Sequence, residues 1–316
     1  MNSLQDIRCV VLGAGGFIGT NLCRMLLPQA SLVRGFGRRR AFPDALRGVE
    51  WMSGDFSDPT SVAAAIAGCD TVFHLINATT PASANVDKLA DLQANVASTL
   101  RLLDACREEG VKRIVFVSSG GTIYGVPSQI PTPESAPTSP ITAYGISKLS
   151  IEKYLALYEY LYGIEHRILR VANPFGPYQT AQKHQGVIAA FMHQCVTRQP
   201  IQIWGDGQVV RDYIYVQDVA AALVSAATHI GPSRIFNIGS GEGRSLLEII
   251  SAIEEVSGVT PSMRFSPGRT VDVPRSILDT SLAAKELAWK PATPFMDGMR
   301  QTWNWISQRP DVRAGE

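Results

Sequence analysis

A chain of 316 residues, 45% apolar and 18% charged, can build a large core with a second lobe and is too apolar to remain disordered. Its formal net charge of +1, with Arg38-Arg39-Arg40 as the single dense basic run, argues against a nucleic-acid partner. The five cysteines are scattered without a CxxC pair, which speaks against a disulfide framework or a thiolate metal centre, and no apolar run approaches the ~18 residues of a membrane span. The N-terminal stretch runs straight into a strand and a glycine-rich turn with no secretory leader, so a cytoplasmic protein without a membrane partner is expected.

In chain order, residues 8–12 read as a short buried strand and 18–27 as a helix. Strands follow at 31–36 and 49–52, then the turn GDFSDP and a helical segment at 60–67. A fourth strand fits 70–76, a long helix 87–109, a fifth strand 112–118, a second long helix 144–162 and a sixth strand 164–171. Near-continuous apolar strands alternating with helices predict a parallel sheet covered on both faces. The right-handed crossover rule makes it doubly wound, an α/β Rossmann domain over residues 1–174. Pro, Gly and Gln then become frequent up to 210, with short strands at 201–203 and 210–215. Helices at 217–229 and 245–257 flank a strand at 234–238, and a last helix covers 294–307. Residues 175–316 are expected to form a smaller lobe, with parts near 212–239 returning to the first domain and a polar tail at 308–316 that frays.

The first strand leads directly into Gly13-Ala14-Gly15-Gly16-Phe17-Ile18-Gly19, which opens the first helix. Gly13 permits a tight turn, Gly15 or Gly16 a close approach of backbone to a pyrophosphate, and Gly19 close packing of helix on sheet. The backbone N–H groups at the helix start then face the phosphates. A lone glycine motif is weak evidence; this one stands between a strand and a helix, as a dinucleotide site requires. The second strand ends in Phe36-Gly37-Arg38-Arg39, with no acid to hold the adenosine ribose. Arg38 could pair with a 2′-phosphate, stack on adenine or face solvent, so NAD and NADP both stay open. Asp55 could touch the adenine edge or only form a turn.

Tyr144 and Lys148 stand four apart within a helical segment and so share one face. A neighbouring ammonium favours the phenolate, and the tyrosine can then exchange a proton with a sugar hydroxyl while hydride moves to or from a nicotinamide. The segment Ser118-Ser119-Gly120-Gly121-Thr122 ends the fifth strand, and either Thr122 or Ser119 could supply a further hydroxyl. The five histidines make no metal-ligand spacing, His74 reads as structural, and a GxSxG nucleophile elbow is absent. No metal is expected.

Together with GDFSD, FHLINATT, VSSGGTIYG, YGISK, LRVANPFGP, VVRDYIYVQDVA and RTVDVPRSILD, these features resemble the extended short-chain dehydrogenase/reductase family, in particular its UDP-sugar 4-epimerases, over nearly the whole chain. The resemblance implies a bound dinucleotide that takes hydride from sugar C4 and returns it to the other face. Tyr144 would be the base and Lys148 would hold the nicotinamide ribose. It implies cofactor contacts at Phe56, Leu75, Asn95 and Ser118 besides the glycine turn, Gly37, Arg38 and Asp55. It implies substrate contacts at Thr79, Thr122, Asn173, Val187, Arg211, Arg269, Asp272 and Ser276, the two arginines on the diphosphate. A homodimer joined through the helices near 87–109 and 144–162 is the corresponding expectation.

Three departures from the pattern matter. Gly120 replaces a serine usual in galactose epimerases, which favours Thr122 as the hydroxyl. The acid missing at Gly37 leaves a strict NAD preference unsupported. Ser276 stands where a bulky tyrosine restricts glucose/galactose enzymes, so an N-acetyl group should fit, and Arg275 beside it could meet a uronate. The dehydratase pattern is absent, since Gly120-Gly121-Thr122 carries no carboxylate. The competing expectations are a reductase of a 4-keto nucleotide sugar using NADPH, a UDP-glucuronate 4-epimerase, and a non-catalytic dinucleotide-binding regulator.

Overall fold

The protein is described by a computed structural model covering residues 4–180, 186–268 and 273–309. The first half alternates β1 (Arg8–Leu12), α1 (Phe17–Leu26), β2 (Leu32–Gly37), β3 (Glu50–Ser53), α2 (Pro59–Ile66) and β4 (Thr71–His74). After α3 (Pro81–Val86), α4 (Lys88–Asp91) and α5 (Ser98–Glu108) come β5 (Arg113–Ser119), α6 (Ala143–Tyr162), β6 (Glu165–Val171) and β7 (Asn173–Phe175). The second half holds α7 (Val187–Val196), β8 (Ile201–Trp204), β9 (Val210–Tyr215), α8 (Val216–Thr228), β10 (Ile235–Ile238), β11 (Gly243–Ser245) and α9 (Leu246–Ser257). It continues with β12 (Met263–Ser266), β13 (Arg275–Ser276), α10 (Ser281–Glu286) and α11 (Phe295–Ser307).

Seven strands form one parallel sheet in the order β10-β6-β5-β4-β1-β2-β3, the doubly wound arrangement expected. Strand alternation divides the core. Cys9 and Val11 of β1 pack with Leu22 and Leu26 of α1 and with α8, whereas Val10 and Leu12 pack with α2, α5 and α6. Each buried leucine of this kind is worth roughly 1.5–3 kcal/mol relative to exposure. A third core, around Phe175, Tyr213, Tyr215, Ile249 and Met299, joins α7, α9 and α11. Beside it a small sheet runs β11-β9-β13, with β7 also paired to β9. The chain therefore leaves the large sheet at Val171, crosses to the small one through β7, and returns in α8 and β10.

Most regular elements lie within one or two residues of their expected bounds. The segment expected as a single helix over 87–109 is divided instead. Asp87 has extended backbone angles, φ −128° and ψ 93°, and its carboxylate accepts the Ala90 N–H at 2.9 Å to start α4. Leu92–Ala97 then winds as a π-helix before α5. The helix α7 went unanticipated because VIAAFMHQCV carries apolar residues on most faces, leaving little period to read. Strands β11 and β13 hold three and two residues, too short for any local pattern.

Candidate active site

The glycine turn is built by close packing. Gly13 has φ +93°, open to glycine and unfavourable for other residues, and donates its N–H to Phe36 O at 2.9 Å. A β-carbon on Gly19 would stand 2.2 Å from Gly13 O, so α1 can lie against β1 only with glycine there. A β-carbon on Gly15 would fall 2.1 Å from Arg39 O. Gly15 thus makes room for the loop after β2, and the approach of a phosphate is left to the exposed Gly16. Gly16 caps α1 with no side-chain hydrogen bond, and Phe17 and Ile18 form the first helical turn. This side-chain-free helix start, in a turn that glycines keep open, fits a dinucleotide pyrophosphate.

Around the turn, Leu75 follows β4 and donates its N–H to Leu12 O at 3.1 Å. Phe56 rests on the buried His74 ring, centroids 5.1 Å apart. Asp55 is exposed and turn-locked, accepting both the N–H (2.9 Å) and the hydroxyl (2.7 Å) of Ser57. These bonds, with the Arg38 charge adding to them, hold its carboxyl below the usual range. Gly37, Arg38 and Arg39 close β2 and stand beside the turn.

Tyr144 and Lys148 lie in the first turns of α6, which begins where the Thr142 hydroxyl accepts the Gly145 N–H at 3.1 Å. Lys148 Nζ donates to Val117 O at 2.9 Å and lies 5.8 Å from the Tyr144 ring centre and 4.7 Å from that of Phe116. Burial lowers its pKa to about 7, with Glu152 and Asp91 opposing the shift. The expectation that Lys148 draws the Tyr144 phenol down is not met. Burial and the Asp91 charge push Tyr144 up to about 12. The reason is that a lysine so desolvated carries little charge above neutral pH, while burial disfavours the phenolate and the Asp91 charge adds to that.

Asp91 went unread in the sequence. Its buried carboxylate accepts the hydroxyls of Thr79 and, at 2.5 Å, Ser147, together with the Asn95 amide at 2.9 Å. Asn95 sits in the π-helical turn and also accepts the Ala78 N–H at 2.8 Å. The fourfold spacing of Asp91 and Asn95 was the only local signal for this node. Thr79 therefore spends its hydroxyl on Asp91.

The Ser118 hydroxyl donates to Glu152 at 2.6 Å, away from Ser119, since alternate residues of a strand face opposite ways. Glu152 forms a buried ion pair with Arg170 at 2.7 Å, and Arg170 donates to the Tyr124 hydroxyl at 2.9 Å. Thr122 differs from both serines of β5 in state. Its Oγ1 is buried with no hydrogen-bond partner, and its carbonyl stands 2.9 Å from where a β-carbon on Gly145 would be, beside Tyr144. His74 is buried, contacts Thr99 at 3.0 Å and is pushed by burial and Lys148 down to about 3, a neutral structural ring.

The small sheet gathers the remaining candidates. Arg211 of β9 is in register with Ser276 of β13, and its guanidinium donates to Val273 O at 2.6 Å. Asn173 of β7 donates to Asp212 O at 2.9 Å, and Val187 opens α7. Arg275 is exposed and lines a cavity of about 700 Å³ with Ile130, Glu242 and Ile277, on the face of β13 opposite Ser276. Arg269 and Asp272 lie outside the described residues. Among the described residues no cluster of His, Cys, Asp or Glu is suited to a metal ion, and no helix is long and apolar enough to cross a membrane.

The model of the NAD dependent epimerase/dehydratase family matches residues 9–239. A UDP-glucose 4-epimerase of Mycolicibacterium smegmatis is 33% identical over 305 residues, covering 94% of this chain and 97% of that one. The structure of a Thermotoga maritima UDP-glucose 4-epimerase with UDP-glucose superimposes with a TM-score of 0.90 at 31% identity, covering 95% of this chain and 98% of the other. A UDP-N-acetylglucosamine 4-epimerase of Methanobrevibacter ruminantium, in complex with UDP-N-acetylmuramic acid, superimposes at 0.89 with 26% identity, over 96% of this chain and 100% of the other. Glycine turn, Tyr144 and Lys148 all fall within the matched span, and the chain belongs to the NAD dependent epimerase/dehydratase family.

Proposed function

We propose that the protein is a nicotinamide-dependent 4-epimerase of a UDP-sugar. The observation that carries this reading is the unpartnered, buried Thr122 hydroxyl beside the start of the helix bearing Tyr144 and Lys148. A buried hydroxyl without a partner is costly, and a substrate hydroxyl would satisfy it. The bound dinucleotide, NAD in the family's description, supplies the acceptor and donor of the hydride. Tyr144 exchanges the proton of the C4 hydroxyl, Thr122 orients that hydroxyl, with Ser119 second to it, and Lys148 holds the nicotinamide ribose. Phe56, Leu75 and Asn95 bound the cofactor cleft, while Ser118 acts behind it through Glu152.

Asn173 and Arg211, joined by Arg269 and Asp272, hold the diphosphate and uridine; Thr79, Val187 and Ser276 border the sugar. Residues 1–174 with α8 and β10 form the dinucleotide half, and the small sheet with α7, α9 and α11 the sugar half. The small side chain of Ser276 supports acceptance of UDP-N-acetylglucosamine beside UDP-glucose. Arg275, on the opposite face of β13, gives a uronate reading no support. The five cysteines are buried free thiols, consistent with a cytoplasmic protein. Helices α3, α4 and α6, with the π-helical turn, expose Val86, Leu89, Leu92, Ile146, Leu157 and Leu161, a surface suited to pairing with a second copy.

Incubating the purified protein with UDP-glucose or UDP-N-acetylglucosamine, without reduced cofactor, and following the sugar by proton NMR tests the reading. The matching galacto-sugar should appear. Conversion only of a 4-keto sugar, with consumption of reduced cofactor, would replace epimerisation by reduction, a second reading that Arg38 and Arg39 favour.

A further inference from the structure

The adenosine end of the dinucleotide cleft has a charge pattern of its own. β2 ends at Gly37, the place from which a carboxylate would reach a ribose 2′-hydroxyl. Packing does not require glycine there: a β-carbon on Gly37 would meet only the Trp51 ring, at 3.7 Å, an ordinary contact. Room for an acid exists and the sequence leaves it empty. The next residues fold back over the glycine turn, with Arg39 O filling the space that a side chain on Gly15 would need. This fold-back brings the backbone of Arg39, and with it Arg38, against the glycine turn.

The neighbouring arginines have work elsewhere. Arg34 pairs with Glu50 at 2.7 Å, and Arg40 donates to Leu46 O. Arg38 and Arg39 are exposed and make no hydrogen bond or ion pair among the described residues. The Arg38 charge bears on Asp55, whose Oδ1 is taken by Ser57. Two guanidiniums with unspent donors, beside a site with no acid, suit a phosphate monoester better than a neutral diol.

We infer that Arg38 and Arg39 form a 2′-phosphate site, so that the protein binds the phosphorylated dinucleotide, NADP(H), more tightly than NAD(H). The inference rests on the dinucleotide-binding reading above and deepens it.

Direct titration, by nicotinamide fluorescence or calorimetry, measures NADPH and NADH affinities without turnover. The expected result is NADPH tighter by about tenfold, the scale of one or two exposed charge-assisted contacts. NADPH affinity should also weaken more steeply with salt than NADH affinity. In R38A/R39A the ratio of the two affinities should fall by about tenfold. Gly37→Asp, which installs the missing acid in open space, should reverse the preference. Equal or tighter binding of NADH by the unaltered protein, or an unchanged ratio in R38A/R39A, would overturn the inference and leave the dinucleotide reading standing. Binding of neither would overturn both.

Discussion

Leu278 occupies the space in which a side chain at Gly120 would stand. A β-carbon on Gly120 would lie 2.5 Å from Leu278 Cδ1 and 3.0 Å from Arg170 O. Leu278 is itself held, its N–H directed at the buried Asp212 carboxylate at 3.3 Å. The position at which a serine would offer a hydroxyl is thus filled by a leucine from the far end of the chain, and Thr122 is left as the unpartnered hydroxyl of that loop. Gly120→Ser alone should destabilise the protein by about 1–3 kcal/mol through overpacking. Gly120→Ser with Leu278→Ala should cost less than the sum of the two single changes, as read from urea midpoints.

Thr122→Val tests the hydroxyl directly. Removing a proton-handling or orienting group should lower kcat by about 100-fold or more. Because that hydroxyl is buried without a partner, stability should hold or rise by up to about 1 kcal/mol. Ser119→Ala should cost far less activity. A Thr122→Val enzyme of normal kcat would remove Thr122 from the reaction.

Lys148 predicts a pH dependence with a definite sign. In the folded, dinucleotide-free protein it titrates at about 7, against its ordinary 10.5. Between these values the unfolded chain binds more protons, so stability should rise as pH rises above about 7. Lys148→Met should flatten that rise and raise stability at pH 7 and below, by on the order of a few kcal/mol. Urea denaturation at roughly pH 7 and pH 9 checks both. Tyr144 runs the opposite way: its pKa is raised to about 12, so its contribution is lost as pH climbs from 10 toward that value.

Breaking the buried pair by Glu152→Gln should cost about 3–5 kcal/mol, since it strands the Arg170 charge among buried groups. Thermal melts of the variant, compared with Tyr124→Phe, separate loss of the ion pair from loss of the outer hydrogen bond.

Ser276→Tyr should narrow the sugar pocket. The ratio of kcat/KM for UDP-N-acetylglucosamine to that for UDP-glucose should drop at least about tenfold, mostly through the N-acetyl substrate. An unchanged ratio would take Ser276 out of the pocket wall.

Much of the fold was legible because its signals are local. The glycines of the first turn, the alternation of strand and helix, and the spacing of Tyr144 and Lys148 each lie within one short window of sequence. Apart from α7, whose apolar residues on most faces hide its period, what escaped reading depends on distant partners. β13 exists because Ser276 pairs with Arg211, and the Glu152–Arg170 pair joins residues of different elements. The direction of the Tyr144 shift was misjudged for the same reason: the lysine four residues on is visible in sequence, whereas the burial of the phenol and the charge of Asp91 beside it arise only through the fold. Gly15 was legible as a necessary glycine, but its reason, the Arg39 carbonyl, was not.

The central claim is that hydride leaves C4 of the sugar and returns to the same carbon from the other side. Epimerisation of UDP-glucose carrying deuterium at C4, run in ordinary water and followed by NMR, tests this most directly. The account predicts UDP-galactose with the deuterium retained at C4 and no net change in cofactor. Loss of deuterium to solvent, or product formation only with consumption of reduced cofactor, would contradict it.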